Sequence, residues 1–308
     1  MTAAIEIAGL TKVYGEKRAL DGVDLEVPAG SIFGFLGPNG AGKTTTLRIL
    51  TGLAHPSAGE ARVFGRDVVS ATNEVRADIG FLPDVPGYYE WMTAPEFLRF
   101  AGHLFGLAGS VLDDRVEALL DLAGLTGVTQ KVGGFSRGMK QRLGVAQALI
   151  NAPRLLMLDE PTSALDPIGR KEVLDMIASL GGRTTVFFST HILSDVERVC
   201  DTVAILHQGR VVTQAPMGEL KARYGTSKLV VGVTGGADAL AARFAAEPWA
   251  AEVARGDNGS IEITVADLAD ARRAVPAAVT EAGVGLTRFE SGEVSLEDVF
   301  VDLVGGER

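Results

Sequence analysis

The sequence predicts an α/β domain followed by a small α+β domain, and three observations support this prediction. Residues 37–44 read G-P-N-G-A-G-K-T and fit the phosphate-loop pattern G-x-x-x-x-G-K-[ST] at every fixed position. Before residue 226, short apolar runs alternate with helical patterns, as in a parallel sheet covered on both faces. After that point the pattern restarts in a βαββαβ order, which is typical of a ferredoxin-like fold. We therefore expect domains at 1–225 and 226–308.

The phosphate loop lies in the local context that its function requires. Apolar residues 32–36 precede it as a buried strand, and an amphipathic helical pattern follows it from Thr45. The glycines allow backbone N–H groups to turn toward a phosphate at the positive end of that helix. Lys43 is expected to reach the β- and γ-phosphates of a nucleoside triphosphate, and the hydroxyl of Thr44 to bind Mg²⁺. The candidate nucleotide-binding residues are Gly37, Pro38, Asn39, Gly40, Ala41, Gly42, Lys43, Thr44 and Thr45.

The first domain combines a buried sheet with a helical insertion. Continuous apolar runs predict its strands, and the last four runs have the character of parallel strands buried on both faces. The strands are predicted at 4–10, 25–27, 32–36, 155–158, 185–189 and 203–206. Residues 92–150 break the alternation with helical patterns at 96–105, 111–122 and 139–150. They predict an inserted helical subdomain at about 86–150.

The second domain is predicted to begin after the Y-G-T-S sequence at 224–227. Its strands are predicted at 229–233, 252–255, 261–265 and 285–289, and its helices at 238–246, 267–281 and 295–304. It holds 7 basic and 14 acidic side chains, against 22 and 25 in the first domain, and so carries most of the net charge of −10. Such acidity repels nucleic acid and anionic lipid head groups, so we expect no nucleic-acid partner.

Other features of the sequence bear on the compartment. The single Cys200 excludes an intrachain disulfide, and the N-terminus lacks the basic and apolar pattern of a signal peptide. No apolar run reaches the 18 residues that a membrane-spanning helix needs, so the chain is not expected to span a bilayer itself. These features predict a cytoplasmic protein.

Residues 155–160 read as an apolar strand that ends in two carboxylates, Asp159 and Glu160. In phosphate-loop ATPases, an aspartate at this place is linked to Mg²⁺ and a glutamate activates the attacking water. We expect Asp159 to hold the metal and Glu160 to orient or deprotonate the water. The sequence P-T-S-A-L-D follows directly at 161–166.

Residues 135–143 read F-S-R-G-M-K-Q-R-L, and here the sequence resembles the ABC ATPase superfamily, whose signature L-S-G-G-Q precedes a Q-R-L helix. Ser136 and Gly138 match the positions that would contact phosphate, whereas Arg137 and Met139 depart from the signature. A serine and a glycine before a helix N-terminus form an anion site. In that family the site faces the γ-phosphate held by a second subunit.

Three further residues take their expected roles from the same resemblance. His191, in the S-T-H sequence after an apolar run, matches the family's switch histidine, which would hydrogen-bond the γ-phosphate. Tyr14 matches the aromatic residue that stacks on the adenine. Asp84 stands where the family has a glutamine; it can ligate Mg²⁺ or its water, but it cannot donate a hydrogen bond when ionised.

The resemblance covers residues 3–222 and implies an ABC cassette with the RecA-like fold of phosphate-loop NTPases and an inserted helical subdomain. It implies ATP and Mg²⁺ as cofactors. The implied catalytic residues are Lys43, Glu160 and His191, and the implied metal ligands are Thr44, Asp159 and Asp84.

Residues 81–105 hold 7 of the 19 aromatic residues of the chain, and aromatic clusters on a surface mark docking sites. In ABC transporters this region receives a short helix of the membrane subunit. We predict that Tyr88, Tyr89 and Trp91 form the docking surface. Phenylalanines at 97, 100 and 105 have near-helical spacing, which is more typical of a core.

The C-terminal sequence S-L-E-D-V-F-V-D-L at 295–303 is similar to the tails of bacterial export-type cassettes. This resemblance implies the ATP-hydrolysing subunit of an exporter on the inner face of the membrane. Its partners would be a separate transmembrane permease and a second cassette, identical or homologous. One alternative is a soluble ABC ATPase acting on nucleic acid or ribosomes, although such proteins usually carry a coiled coil or a second cassette. The other is a non-catalytic nucleotide-binding regulator, which the presence of Glu160 and His191 disfavours. The transported substrate cannot be inferred from this chain.

Overall fold

The structure is a computed structural model that describes residues 3–224, 227–256, 259–265, 267–292 and 296–305. The chain divides into two compact units, Met1–Met217 and Gly218–Arg308. The domain boundary predicted from the sequence falls on Gly225 and Thr226, which lie outside the described residues. Each unit has its own hydrophobic core and is described by itself.

The first unit contains two sheets and a set of helices. Its strands are β1 (Ala3–Tyr14), β2 (Lys17–Pro28), β3 (Ile32–Leu36), β4 (Ala58–Val63), β5 (Arg66–Asp67), β6 (Ile79–Leu82), β7 (Leu155–Asp159), β8 (Thr185–Thr190), β9 (Thr202–His207) and β10 (Arg210–Pro216). Its helices are α1 (Lys43–Leu50), α2 (Thr72–Asp78), α3 (Ala94–Leu104), α4 (Gly109–Leu122), α5 (Arg137–Ala148), α6 (Pro167–Ala178) and α7 (Leu193–Val199). Helix α8 (Met217–Tyr224) begins at Met217, the last residue of the first unit.

The larger sheet confirms the predicted α/β class. Over the described residues its strand order is β10-β9-β3-β8-β7-β6, and all pairs are parallel except β10 with β9. Every residue of β3, β7 and β8 is buried, which explains their continuous apolar sequences. The sequence predicted neither β6, which is apolar and mostly buried but only four residues long, nor the half-exposed edge strand β10.

The smaller sheet is antiparallel, in the order β2-β1-β4-β5. Strands β1 and β2 are longer than predicted because exposed polar residues alternate with buried ones along much of their length. Their buried residues, including Ile5 and Leu20, share one core with Phe33 and Phe35 of β3 and Leu47 of α1. This core fixes the start of α1 beneath the smaller sheet.

Helices α3, α4 and α5 match the three helices predicted for the inserted subdomain. Helix α3 begins with a capping box, in which the backbone N–H of Thr93 donates to Oε2 of Glu96 at 2.8 Å. Phe97 is buried in this subdomain, as its helical spacing predicted. Phe105 is 51% exposed, so its prediction as a core residue was wrong; it is the C-cap of α3 and follows the packed face.

Tyr88, which the sequence predicts to face a partner, is half-buried and also makes contacts within the chain, and its docking role stays a prediction. Its ring lies 5.5 Å from that of Phe97, and its hydroxyl donates to the carbonyl oxygen of Lys140 at 2.6 Å. The hydroxyl fits because Gly144 has no side chain; a Cβ there would lie 2.6 Å from it. Burial raises the pKa of Tyr88. Tyr89 and Trp91, by contrast, are 46% and 63% exposed.

The second unit has the predicted βαββαβ order and confirms the ferredoxin-like prediction. Its elements are β11 (Ser227–Val233), α9 (Ala237–Phe244), β12 (Ala250–Arg255), β13 (Ile261–Val265), α10 (Leu268–Glu281), β14 (Leu286–Gly292) and α11 (Leu296–Gly305). In the described part of this unit the sheet order is β12-β13-β11-β14, antiparallel throughout. Buried residues of α9 and α10, including Phe244 and Val275, cover the sheet. Ser295, the predicted first residue of α11, lies outside the described residues.

None of the helices in the described ranges is both long enough and apolar enough to cross a membrane.

We expect Tyr88→Phe to lower the free energy of unfolding by about 1 kcal/mol, because it removes the hydrogen bond to Lys140 and keeps the ring. Denaturant titration measures this change. Tyr89→Phe is the matched control, since that ring is half exposed, and it should change stability little. An equal loss in both variants would contradict a structural role for the Tyr88 hydroxyl.

A chain that stops after Tyr224 should remain folded. The core cluster around the two sheets of the first unit ends at residue 211, and the cluster around the sheet of the second begins at residue 229, so each set of sheets has a core of its own. Circular dichroism of the truncated chain should retain a cooperative melt, and its affinity for nucleotide should match that of the full chain. Global unfolding would show that the two units depend on a shared core.

Candidate active site

The phosphate loop joins the buried strand β3 to helix α1, and its backbone depends on glycine. Gly40 and Gly42 have φ angles of 83° and 118°, in the region that favours glycine. A Cβ at Gly42 would lie 2.7 Å from the carbonyl oxygen of Ala19 and 2.6 Å from a methyl group of Leu20. The first N–H groups of α1 have no partner within the helix, and they carry its positive dipole end. The turn therefore exposes an anion-binding helix start.

An open pocket of about 210 Å³ lies over this helix start. It is lined by Lys17, Ala19, Asn39, Gly40, Gly42, Lys43, Thr44, Thr45, Asp84 and Glu160. The other predicted loop residues, Gly37, Pro38 and Ala41, are not part of the pocket lining. Gly37 and Pro38 present carbonyl oxygens to Lys43, and the carbonyl of the buried Ala41 accepts from the N–H of Gly209 at 2.9 Å.

Lys43 is the buried cation of the site, with only 5% of its side chain exposed. Its Nζ donates to the carbonyl oxygens of Gly37 at 2.7 Å and Pro38 at 3.3 Å. The same atom lies 3.2 Å from Oε1 of Glu160. A buried ammonium group requires such partners, and phosphate oxygens in the pocket would be further acceptors within its reach.

Asp159 ends strand β7 and is almost completely buried. Ser189 of the neighbouring strand donates to its Oδ1 at 2.5 Å, and the side chain of Thr44 also hydrogen-bonds to it. Burial raises the pKa of Asp159, these two hydrogen bonds oppose the shift, and the charges of Glu160 and Asp84 add to it. A cation beside this carboxylate would restore the preference for its ionised form.

The donor chemistry of the site fits Mg²⁺. A threonine hydroxyl and carboxylate oxygens are hard ligands, which Mg²⁺ prefers, and it completes its coordination with water and phosphate oxygens. The described residues contain no group of three or more His, Cys, Asp or Glu that could hold a metal ion alone. The site therefore fits an ion that arrives with phosphate better than one held in a protein cage.

Glu160 lies between Lys43 and His191. Its Oε2 lies 2.8 Å from Nδ1 of His191 and accepts from the hydroxyl of Thr190 at 3.4 Å. This geometry requires the proton on Nδ1 and leaves Nε2 of His191 for another partner. Glu160 has a φ of 49°, which is unusual for a residue with a side chain, and its N–H donates to the carbonyl of Ser189 at 2.9 Å. Backbone strain of this kind is common at functional sites.

Asp84 and Tyr14 occupy different positions relative to the pocket. Asp84 follows β6, lines the pocket and is close enough to Asp159 to raise the pKa of that carboxyl. Tyr14 is not part of the pocket lining, although its cross-strand partner Lys17 is. The Tyr14 ring is half exposed, and Nζ of Lys12 lies 4.8 Å from its centroid. An exposed ring at this edge leaves room for a base to stack.

Ser136 and Gly138 are not brought into this pocket by the single chain. Ser136 is the exposed N-cap of α5, and its hydroxyl accepts from the N–H of Met139 at 3.2 Å. Gly138 packs against Gly169 of α6, where a Cβ would lie 3.4 Å from the Gly169 Cα. They form a separate helix start with N–H groups directed away from the helix.

Sequence reasoning missed Lys17 and Ser189 as parts of the site. Lys17 is the first residue of β2, directly after the turn of the β1–β2 hairpin, where no motif marks it. Ser189 could have been found, because it is the residue of β8 that pairs with Asp159 of the parallel strand β7. Side chains at the carboxyl ends of adjacent parallel strands meet at one edge of the sheet.

Comparison with known proteins agrees with this fold. Residues 20–163 match the family model described as ABC transporter, and residues 216–304 match that of the C-terminal domain of ATP-binding proteins like DrrA1-3. The chain is similar to the uncharacterized ABC transporter ATP-binding protein YxlF of Bacillus subtilis, with 39% identity over 97% of this chain and 99% of that protein. It is 43% identical to the bacitracin transport ATP-binding protein BcrA of Bacillus licheniformis, over 72% of this chain and 73% of that protein.

A dimeric ATP-binding cassette, solved in a post-hydrolysis state with ADP and Pi, is similar in structure. The TM-score is 0.62 and the identity 26%, over 69% of this chain and 98% of that cassette. The family matches, the near full-length relative and this cassette are consistent with the phosphate loop and the paired carboxylates found here. The chain therefore belongs to the ATP-binding proteins of ABC transporters and is an ATPase of that family.

Proposed function

We propose that this chain drives a bacterial ABC exporter by hydrolysing ATP at Glu160, in a site completed by a second cassette. The observation that carries the hydrolytic part is the position of Glu160, which joins Lys43 and His191 beside the phosphate loop. A carboxylate there can take a proton from water as the γ-phosphate leaves. ATP is the nucleotide of the family, and Mg²⁺ is part of this proposal.

Thr44 and Asp159 would hold the magnesium ion, with Asp84 as a ligand to the ion or to its water. When bound, Mg²⁺ neutralises charge on the phosphate oxygens. The chain's own residues supply the rest. Lys43 binds the β- and γ-phosphates, and this contact competes with its ion pair to Glu160, so that Glu160 becomes available to water.

His191 has two tasks in this proposal. Its Nδ1–H holds the Glu160 carboxylate at 2.8 Å, while Nε2 faces away from that bond and can contact the γ-phosphate. Since 41% of the His191 side chain is exposed, an incoming phosphate can reach it. Binding of the γ-phosphate to Nε2 would thus affect the position of Glu160 through the hydrogen bond at Nδ1.

The second cassette is needed because Ser136 and Gly138 lie outside the pocket. Ser136 is exposed at a helix start with the polarity that binds an anion, and Gly138 beside it packs against Gly169. A head-to-tail pair would place this helix start over the partner's nucleotide. ATP would then lie between two cassettes and hold them together.

The transport part of the proposal rests on an exposed aromatic pair and on the relatives. Tyr89 and Trp91 lie 6.0 Å apart by ring centroids, on the surface next to the inserted helices and a few residues after Asp84. Such rings suit an anchor for a partner helix. BcrA is named for bacitracin transport, which favours export through a separate permease at the inner face of the membrane. The transported substrate would contact that permease.

We expect Glu160→Gln to retain ATP binding and to slow hydrolysis by roughly 10²–10⁴-fold, the usual effect of losing a general base. ATP should then hold two cassettes together, which light scattering with and without ATP would detect. Lys43→Ala is the contrasting variant, because it removes the cation that meets the phosphates and should lose ATP binding itself. Undiminished turnover in Glu160→Gln would exclude the proposed role.

Replacing Tyr89 and Trp91 together with serine should abolish co-purification with the membrane partner and leave ATP binding intact, because both rings are surface groups. Phe105→Ser is the matched control, since it removes another aromatic ring, 51% exposed, from the same subdomain. Retention of the partner by the double variant would show that the contact lies elsewhere. Loss of the partner by the control as well would show that the effect is not specific to Tyr89 and Trp91.

A further inference from the structure

A buried carboxylate outside the pocket lining connects the segments that carry Glu160 and His191. Asp195 of α7 is 1% exposed, and each of its carboxylate oxygens accepts one strong hydrogen bond. The hydroxyl of Thr162 donates to Oδ2 at 2.5 Å, and Nε of Arg170 donates to Oδ1 at 2.6 Å. The Arg170 guanidinium also donates to the hydroxyl of Ser194 at 2.7 Å.

These residues belong to three segments of the chain. Thr162 lies two residues after Glu160, in the segment 161–166 that leads to α6. Arg170 is on α6 itself, and Asp195 lies four residues after His191. The Asp195 carboxylate therefore joins the segment that carries Glu160 to the turn that carries His191.

The energetics favour one arrangement of these segments. A buried carboxylate is costly unless its hydrogen bonds and counter-charge are satisfied, and here both oxygens have a partner. Movement of Thr162 away from α7 would leave Oδ2 of Asp195 buried without a donor. The free-energy cost of this exceeds that of losing a hydrogen bond at the surface, where water replaces the donor. The segment needs such restraint because Glu160 and Ala164 have φ angles of 49° and 56°, which residues with side chains rarely adopt.

We propose that Asp195 is a positioning residue for ATP hydrolysis. By holding Thr162 and Arg170, it fixes the backbone after Glu160 against the turn of His191 and so maintains the hydrogen bond between Glu160 and His191. Asp195 itself lies among protein groups and contacts neither phosphate nor water in this role. The proposal rests on the role of Glu160 given above.

Two substitutions test the network through different atoms. Asp195→Asn keeps the shape but removes the negative charge that faces Arg170, and the new NH₂ group beside Thr162 can only donate, so the Thr162 hydroxyl must change from donor to acceptor. Thr162→Val removes the donor hydroxyl and keeps the branched shape. Thr162→Ser restores the hydroxyl and serves as the conservative rescue.

The structure offers a matched control in a second ion pair between the same two helices. Arg198 of α7 donates to Asp175 of α6 at 2.8 Å, but the two side chains are 43% and 55% exposed. Asp175→Asn therefore removes an ion pair between α6 and α7 without creating a buried unpaired group. Exposed pairs of this kind contribute little to stability.

In the purified full-length chain, we expect Asp195→Asn and Thr162→Val to lower kcat for ATP by about 10–100-fold, the scale of a small misplacement of a catalytic group. The KM and the affinity for ATP should stay within about twofold, because the pocket lining is unchanged. Thr162→Ser and Asp175→Asn should retain a kcat close to that of the unmodified chain. Thermal melts of all variants establish that kcat is measured well below unfolding.

The double variant Glu160→Gln with Asp195→Asn separates positioning from general destabilisation. If Asp195 acts through Glu160, the second change should lower kcat no further than Glu160→Gln alone. If Asp195→Asn does not fold, the Thr162→Val and Thr162→Ser pair gives the same comparison. An unchanged kcat in Thr162→Val, failure of Thr162→Ser to restore it, or an equal loss in Asp175→Asn would overturn the proposal. Undiminished turnover in Glu160→Gln would instead refute the role of Glu160 itself.

Discussion

The parallel pairing of β3, β7 and β8 is the constraint on which the site depends. In this register Leu36 pairs with Thr190, and Asp159 pairs with Ser189, so the three strands end at one level. The phosphate loop, the two carboxylates and His191 therefore leave the sheet side by side, although more than 150 residues separate the first from the last. Ligands of α/β proteins bind at this edge of the sheet, because the loops that follow the carboxyl ends of the parallel strands meet there.

The charges at this edge do not balance. Lys17 and Lys43 line the pocket together with Asp84 and Glu160, and the buried Asp159 adds a further carboxyl beside them. A triphosphate brings several more negative charges, so the two lysines and the backbone N–H groups cannot compensate for them alone. Such a site favours nucleotide that arrives with a divalent cation, and Asp84 in place of a neutral glutamine strengthens that requirement.

Much of the fold could be predicted from the sequence because its central strands are buried on both faces and its loop obeys a strict pattern. The edge strands could not, because partial exposure removes the apolar signal, as in β10. The contacts of Tyr88 within the chain could not be predicted for a different reason. Composition shows that aromatic residues cluster, but only the tertiary contact of Tyr88 with Lys140 and Gly144, more than 50 residues away, shows that its hydroxyl is held within the subdomain.

The site itself was predicted residue by residue only where chemistry and position coincide. The roles that we propose for Lys43, Asp159 and Glu160 lie in their own side chains, so a motif identifies them. Asp195 carries none, and its importance lies in being buried with two donors from distant segments. A motif search therefore finds the groups that face the nucleotide and misses the groups that hold them in place. In this chain Asp195 links the segment of Glu160 to the turn of His191, and under our proposal the backbone between the two motifs supports catalysis.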